Sequence, residues 1–352
     1  MAEVRREWVS LPSPTSARAG HGSNPCQGLY HSVADRPAVA FIATHYNVDF
    51  AEHYLADYLA ARGHGFLGWN TRFRGNEAFF RLEPALVDIG VGVRWLREVA
   101  GASRVVILGN SGGGSLMAAY QAQAADSGMP AADLYVSLNS HPGRPQVLTS
   151  WLDPSVVEEN DPLSVDPSLD MFDPSHGPPY APDFVDGYRA AQAERNHRIT
   201  AWALAELDRL AAGGAWDRMF CVPRTWADLR FADLSLDPSD RRPGCYGGDP
   251  RTVNYSPFGL AHVCSLRSWL AMWSLAESEC GGAPHLRRIG VPALVVQSTA
   301  DRGVYPSDAR EIHASLGSVD KSLEFLPGEH YFEDGGRDEV ADLIAAWVAD
   351  RG

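Results

Sequence analysis

Short, uninterrupted runs of apolar residues alternate along this chain with stretches in which apolar residues recur at helical spacing. Runs of this length and composition are typical of strands that are buried on both faces. They lie at 38–43, 65–69, 105–108, 134–138, 292–296 and 323–326. The last helical pattern places Val340, Ile344 and Trp347 on one face, as a core-facing helix requires. This alternation predicts an α/β fold with a doubly wound, mostly parallel sheet.

The alternation is interrupted between His141 and about Pro284, where Pro, Asp and Trp are frequent and strand-like runs are few. One long helical pattern, 185–210, lies inside this stretch. A structureless loop of that length would be unusual in a compact domain, so we expect an inserted, mainly helical cap over one end of the sheet. The predicted division is an irregular N-terminal arm at 1–36, a core at 37–141 and 284–352, and a cap insertion at 142–283.

The formal net charge of the 352-residue chain is −14, and Lys and Arg form no run. A protein of this charge repels nucleic acid and anionic membrane surfaces, so neither is expected as a partner. The N-terminal segment has no apolar stretch of signal-peptide length, and no apolar run is long enough to span a membrane. We therefore expect a soluble, cytoplasmic protein that acts on a small molecule, and a homo-oligomer is compatible with the sequence.

The five cysteines are an odd number, widely spaced and without a CxxC pair. This pattern predicts neither a disulfide framework nor a structural zinc site. Free thiols are expected, with a single Cys221–Cys245 or Cys264–Cys280 bridge as the alternative. Because an HExxH motif is also missing, the sequence predicts no metal and no organic cofactor.

The segment Gly109-Asn110-Ser111-Gly112-Gly113 matches the pattern G-x-S-x-G. It follows the apolar run 105–108 and opens a helical stretch, which is the setting of a nucleophile elbow. Glycines allow the sharp turn that presents the Ser111 hydroxyl at the carboxyl end of the sheet, where the helix N-terminus favours developing negative charge. The alternative is a glycine-rich turn without a catalytic role. No Lys follows and no G-x-G-x-x-G is present, so a phosphate-binding loop is disfavoured.

A serine hydroxyl needs a base that accepts its proton, and the base needs an orienting acid. In folds of this kind the chain order is serine, acid, histidine. Asp301 follows the run 292–296 and His330 follows the run 323–326, so both are expected at the same sheet edge as Ser111. Asp308 is an alternative acid, but it lies at a predicted helix start, where aspartate has a purely structural purpose.

These residues resemble the α/β-hydrolase superfamily over 37–141 and 284–352. The elbow is similar to that of serine esterases and to the G-N-S-x-G-G of meta-cleavage C–C hydrolases. The resemblance implies an oxyanion hole made by the amide of Gly112 and by a second amide in the loop Thr44-His45-Tyr46-Asn47, with Tyr46 or Asn47 as the donor. Tyr46 replaces the glycine of the common His-Gly motif, and its hydroxyl is a further candidate donor.

Several other residues are candidates for substrate contacts. Arg72 and Arg74 follow a predicted strand and either hold a substrate carboxylate or, as the preferred interpretation in so acidic a chain, pair with Asp or Glu. Aromatic residues are frequent in the insertion, which indicates either a bulky or aromatic substrate or simply the core of the cap. The candidate substrate-binding residues are His45, Arg72, Trp202, Trp226, Trp269 and Tyr331.

The leading hypothesis for function is hydrolysis of a carboxylic ester, or of a lactone or thioester, through an acyl-enzyme on Ser111. The first alternative is a C–C bond hydrolase of the meta-cleavage type, which would use the same triad. The second is a small-molecule-binding protein that has the hydrolase fold without catalysis.

Overall fold

The computed structural model describes residues 3–15, 22–333 and 335–351. The strands are β1 (Arg5–Leu11), β2 (Cys26–Ser32), β3 (Val39–Ala43), β4 (Gly65–Asn70), β5 (Arg104–Asn110), β6 (Leu134–Leu138), β7 (Met219–Cys221), β8 (Val263–Ser265), β9 (Ala293–Ser298) and β10 (Lys321–Leu326). The helices are α1 (Ala56–Ala61), α2 (Leu82–Glu98), α3 (Gly113–Gln123), α4 (Arg144–Trp151), α5 (Pro182–Ala212), α6 (Pro250–Asn254), α7 (Leu266–Ser268), α8 (Gly282–Leu286), α9 (Pro306–Ser315) and α10 (Gly336–Ala349).

Eight strands of the described residues form one sheet in the order β1-β2-β4-β3-β5-β6-β9-β10. The pairs from β4 to β10 are all parallel, whereas β2 is antiparallel to both β1 and β4. The prediction of an α/β fold with a mostly parallel sheet is therefore confirmed. Asn110 pairs with Leu138, and Ser298 pairs with Leu326, so the carboxyl ends of β5, β6, β9 and β10 reach the same sheet edge.

The two faces of the sheet are covered by different helices. Phe41 of β3 lies in a buried cluster with the apolar stripe of α10 and with residues of α1. On the opposite face, α2 approaches so closely that a side chain at Gly92 would collide with Ile42 and Trp69. Phe41 and Ile42 are successive residues of β3, and their side chains contact helices on opposite faces of the sheet. Because both faces are covered, successive residues of such a strand can both be apolar, which explains the continuous apolar runs in the sequence.

The segment 1–36 was predicted to be an irregular arm, and this is wrong for its described residues. They contain β1 and β2, which pair along their whole length, and β2 joins the parallel sheet through β4. The error has a physical cause, because β1 is an edge strand whose first side chains are exposed. It therefore lacks the apolar run that marks a buried strand. Residues 1–2 and 16–21 of the predicted arm lie outside the described residues.

The chain divides into two compact units. The first comprises Met1–Asn76, Leu82–Gly143 and Gly282–Gly352, and it contains the large sheet. The second comprises Arg144–Gly281 and the short segment Glu77–Arg81. The sequence pattern predicts this segment as part of the core, but the buried side chain of Glu77 lies 3.6 Å from the guanidinium of Arg144 in the second unit.

The second unit has its own apolar interior. Its longest element is α5, and β7 and β8 form a separate antiparallel pair that the sequence pattern did not predict. One buried cluster is built around Trp151, Trp226 and Phe231, and another around Tyr180 and Tyr188.

All five cysteines are free thiols, so neither alternative bridge is formed. Within the described ranges, none of the helices combines the length and the apolar character that crossing a membrane would require.

A buried ion pair ties the N-terminal segment to the sheet. The Arg72 guanidinium donates to both carboxylate oxygens of Asp88 at 2.7–2.8 Å, and the Arg72 amide donates to Asp88 Oδ2 at 3.0 Å. Arg72 also donates to the hydroxyls of Ser13 and Thr15. The Asp88 side chain is completely buried and that of Arg72 is 7% exposed. Removing one member of such a pair leaves the other as an uncompensated buried charge.

We expect Asp88→Ala to lower the free energy of unfolding by about 3–5 kcal/mol, because the buried guanidinium loses its counter-ion. Urea unfolding measures this change. Arg74→Ala is the matched control, because Arg74 and Asp49 form an exposed pair at 3.3 Å. That variant should lose less than about 1 kcal/mol. Equal losses in both variants would contradict this account of the Arg72–Asp88 pair.

Candidate active site

Ser111 occupies a sharp turn between β5 and α3. Its φ angle is 56°, in the left-handed region that residues other than glycine rarely adopt. The Ser111 amide donates to the carbonyl oxygens of Leu138 at 3.2 Å and Asn139 at 3.1 Å, and its carbonyl accepts from the His141 amide at 3.1 Å. The segment that follows β6 thus holds both backbone polar groups of Ser111, and these bonds offset the backbone strain.

The glycines of the elbow are required by close backbone contacts. A Cβ atom on Gly113 would lie 2.2 Å from the carbonyl oxygen of Thr44, and one on Gly109 would lie 2.7 Å from the Cα atom of Gly114. Neither position can accept a side chain without movement of the backbone. The contact of Gly113 also shows that the loop after β3 lies directly against the elbow.

Asp301 and His330 lie in the loops after β9 and β10, and their side chains form a hydrogen bond. His330 Nδ1 is 2.6 Å from Asp301 Oδ2, and both side chains are almost completely buried. The second carboxylate oxygen of Asp301 accepts from the amides of Gly303 at 2.9 Å and Val304 at 3.1 Å. An ionised Asp301 holds the proton on Nδ1, which leaves Nε2 as the basic nitrogen of the ring.

The alternative acid, Asp308, has a structural position. Its carboxylate accepts from the Tyr305 amide at 2.9 Å, which caps the N-terminus of α9. A cap of this kind is the ordinary use of aspartate at a helix start.

The loop after β3 contains the candidate oxyanion donors. The Tyr46 side chain is completely buried, and its hydroxyl lies 2.9 Å from the Ser115 hydroxyl in the first turn of α3. His45 Nδ1 lies 3.0 Å from Asn47 Oδ1, 3.2 Å from the Val48 amide and 3.4 Å from the Asn47 amide. The Tyr46 hydroxyl therefore holds the loop against α3, and the His45 ring stabilises the turn that follows.

Three candidate substrate-binding residues form ion pairs or hydrogen bonds within their own compact unit. Arg72 is committed to Asp88 inside the first unit. In the second unit, the buried indole of Trp226 donates to the Phe258 carbonyl at 2.8 Å, and that of Trp269 donates to the Thr200 hydroxyl at 3.0 Å. Burial in the interior of the second unit explains the presence of both tryptophans. Sequence patterns do not distinguish a ring in a core from a ring in a pocket.

The other aromatic candidates are more accessible. Trp202 is 41% exposed in the second unit, and its ring packs edge-on against Phe220. Tyr331 is 47% exposed, and its ring centroid lies 4.7 Å from that of His330. Tyr331 is therefore an aromatic surface directly beside the candidate base.

Two residues beneath the elbow were not singled out from the sequence. Asn110 Nδ2 donates to the Leu138 carbonyl at 2.8 Å, and Asn110 Oδ1 lies 3.2 Å from His53 Nε2. His53 Nδ1 accepts from the Leu55 amide at 3.2 Å, so Nε2 carries the proton in the neutral ring. Asn110 precedes Ser111 and could have been noticed for that reason, whereas no pattern distinguishes His53 among 12 histidines.

Burial lowers the pKa of His53 to about 3 from its ordinary value of 6.5. Protonation would also place a second N–H against the Leu55 amide. Because the unfolded chain binds this proton at higher pH than the folded chain, stability is lost as pH falls from 6.5 towards 3. This supports a neutral His53 beneath the elbow at neutral pH.

We expect His53→Gln to flatten the pH dependence of stability across that window, by up to about 1.4 kcal/mol per pH unit. A glutamine amide can still donate to Asn110 but does not titrate. Urea unfolding at several pH values measures the slope. His197→Gln, which removes an exposed histidine of α5, is the control. An unchanged slope in His53→Gln would show that the buried imidazole does not contribute to acid sensitivity.

No group of three or more His, Cys, Asp or Glu side chains with the arrangement of a metal site occurs in the part of the chain that the structure describes.

No family model matches this sequence, and no curated protein matches it. Solved structures do resemble its fold. DcsB, solved in complex with its substrate analogue, superposes with a TM-score of 0.56 at 13% identity, covering 98% of this chain and 99% of that chain. The α/β hydrolase GrgF from Penicillium sp. sh18 gives 0.55 at 11% identity, covering 98% and 97%. A monoacylglycerol lipase from Paleococcus ferrophilus gives 0.48 at 16% identity, covering 99% and 100%.

This chain has the α/β-hydrolase fold. The resemblance that the elbow and the strand pattern indicated is therefore confirmed at the level of the fold.

Proposed function

We propose that this protein is a serine hydrolase that cleaves a carboxylic ester through an acyl-enzyme on Ser111. The observation that carries the proposal is the buried hydrogen bond between His330 and Asp301 at the sheet edge where Ser111 follows β5. Nucleophilic acyl transfer needs a serine, a base and an orienting acid, and the strained Ser111 and the His330–Asp301 pair follow strands that end at one sheet edge.

The proposed reaction has two halves. His330 Nε2 takes the proton of the Ser111 hydroxyl while Oγ attacks the ester carbonyl, and the resulting imidazolium gives that proton to the departing alcohol. In the second half, His330 deprotonates a water molecule and the resulting hydroxide attacks the acyl carbon. The bond between that carbon and Ser111 Oγ then breaks, the carboxylic acid leaves, and the His330 imidazolium returns the proton to Oγ. Asp301 keeps the imidazole in the required tautomer and stabilises its positive form. No group outside the chain is needed for proton or electron balance.

The oxyanion of the tetrahedral intermediate would be bound by backbone amides. The Gly112 amide follows the nucleophile at the start of α3, where helix N–H groups favour negative charge. The Asn47 amide contributes to the turn closed by His45 Nδ1, which favours the Tyr46 amide as the second donor. The role of the Tyr46 hydroxyl is to position this loop through Ser115.

The proposed substrate is a hydrophobic or aromatic small molecule. The exposed ring of Tyr331 beside His330 supports this, because it offers apolar surface next to the departing group. A lactone or a thioester presents the same carbonyl chemistry to Ser111, so both belong to the proposed substrate range. The rings of Trp226 and Trp269 are buried in the second unit and form no part of the proposed substrate contacts.

Incubation with a fluorophosphonate should produce a single adduct by intact mass in the wild-type protein and none in Ser111→Ala. Nitrophenyl acetate, butyrate and octanoate should be hydrolysed at rates that depend on acyl length, and the length preference then indicates the size of the acyl pocket. Labelling without turnover of any of these esters would favour C–C bond hydrolysis. Absence of labelling in a folded wild-type protein would favour a non-catalytic binding protein instead.

Asp301→Asn should lower kcat about 10⁴-fold, because an asparagine amide stabilises the wrong tautomer of His330. The rate of nitrophenyl butyrate hydrolysis measures this effect. Asp308→Asn is the matched control, because Asp308 accepts from the Tyr305 amide at the start of α9, whereas Asp301 bonds to His330. Greater loss of activity in Asp308→Asn than in Asp301→Asn would assign the acid to Asp308.

A further inference from the structure

Asn139 is the first residue after β6, and its side chain is completely buried. Its φ angle is 42°, in the left-handed region that asparagine tolerates better than most other residues. Neither the catalytic chemistry nor the apolar core accounts for a buried amide side chain at this position. The hydrogen bonds of the Asn139 side chain explain why an amide is buried here.

All four polar groups of Asn139 are used, and they reach three different segments. Its amide donates to the Val296 carbonyl of β9 at 2.9 Å, and its carbonyl accepts from the Ser111 amide at 3.1 Å. Its side-chain Nδ2 donates to the His330 carbonyl at 2.8 Å. Its side-chain Oδ1 accepts from the Ser298 amide at 2.7 Å.

The orientation of the side-chain amide follows from its partners. An N–H group such as that of Ser298 can only donate, so it faces Oδ1, and a carbonyl oxygen such as that of His330 can only accept, so it faces Nδ2. A flipped amide would lose both bonds. The observed network therefore specifies an asparagine rather than any buried polar residue.

Asn139 lies between the strand that precedes Ser111 and the strand that precedes His330. Ser111 follows β5 and His330 follows β10, and the strands β6 and β9 lie between β5 and β10. The nucleophile and the base are thus carried by strands that are not neighbours. Asn139 bonds to the backbone of both residues, and through Ser298 it also reaches the strand end that precedes Asp301.

We propose that Asn139 is a positioning residue that sets the His330 backbone relative to Ser111 and Asp301. The inference rests on the proposed function, because it concerns the geometry of that triad. Asn139 touches no reacting atom and acts through the backbones of the residues that do. An error of about 1 Å in the position of a catalytic group can lower the rate about 100-fold, so a residue of this kind affects turnover strongly.

Two variants separate the contributions of Asn139. Asn139→Gly retains the left-handed backbone and the carbonyl that accepts from Ser111, but it removes both side-chain bonds. Asn139→Asp retains an acceptor for the Ser298 amide but places a carboxylate oxygen against the His330 carbonyl. Both should lower kcat for nitrophenyl butyrate by about 10- to 100-fold with little change in KM. Fluorophosphonate should label both slowly but to full stoichiometry.

The pH dependence of the Asn139→Asp variant provides a readout that a merely structural role would not change. When protonated, the carboxyl group can donate to the His330 carbonyl and restore the missing bond. The ratio of Asn139→Asp to wild-type turnover should therefore rise as pH falls. The ratio of Asn139→Gly to wild-type turnover should stay constant, because glycine has nothing to titrate.

Asn196→Ala is the matched control for loss of a buried amide. Asn196 is also completely buried, and within the second unit its side chain donates to the Thr149 hydroxyl and the Trp273 carbonyl and accepts from the Leu275 amide. This variant should lose stability in urea unfolding but retain wild-type turnover per labelled site.

The outcomes separate the inference from the proposed function. The positioning role alone would be overturned if Asn139→Gly turned over substrate at the wild-type rate per labelled site. The same holds if its lower activity came only from a smaller fraction of protein that labels. A pH-independent Asn139→Asp ratio would overturn the donor role of Nδ2. A folded wild-type protein that neither labels nor hydrolyses esters would overturn the proposed function and the inference together.

Discussion

The left-handed backbone of Ser111 is the constraint on which the rest of the first unit depends. A serine in this conformation is strained, and it is held there by hydrogen bonds from its amide and carbonyl to the segment that follows β6. The adjoining glycines let the chain turn without a collision, and the contact of Gly113 with Thr44 brings the loop after β3 against the turn. The geometry of the elbow is therefore a property of three strand ends rather than of one short motif.

Buried hydrogen bonds hold the residues at the carboxyl ends of these strands. His53 and Asn110 form a neutral pair under the elbow, while the Asp301 carboxylate accepts from His330 and from two backbone amides. In a region of low dielectric constant such bonds are strong, and a broken one leaves a costly orphaned group. The buried hydrogen bonds that hold the candidate site rigid are therefore sensitive to single substitutions. Protonation of His53 also makes them sensitive to acid.

Much of the first unit was predictable because its strands are buried on both faces. Each predicted strand lies within two residues of its observed position, and Asp301 and His330 became candidates because they follow such strands. The edge strand β1 was missed because its exposed side chains give no apolar run. A loop position after a strand is common to binding and structural arginines, so the sequence left both roles open for Arg72 and favoured an ion pair; it could not name the partner, Asp88 on the next helix.

The sequence by itself determined which residue types reach the carboxyl ends of the strands and where glycine is required, since strand periodicity and turn sterics are local properties. Only the tertiary structure decided which of those ends are neighbours. The spatial order β5-β6-β9-β10 brings Asn139 between Ser111 and His330, although 191 positions separate Asn139 from His330 along the chain. Hydrogen bonds across a sheet depend on this spatial order, which no local pattern encodes, and so the role of Asn139 emerged only from the folded chain.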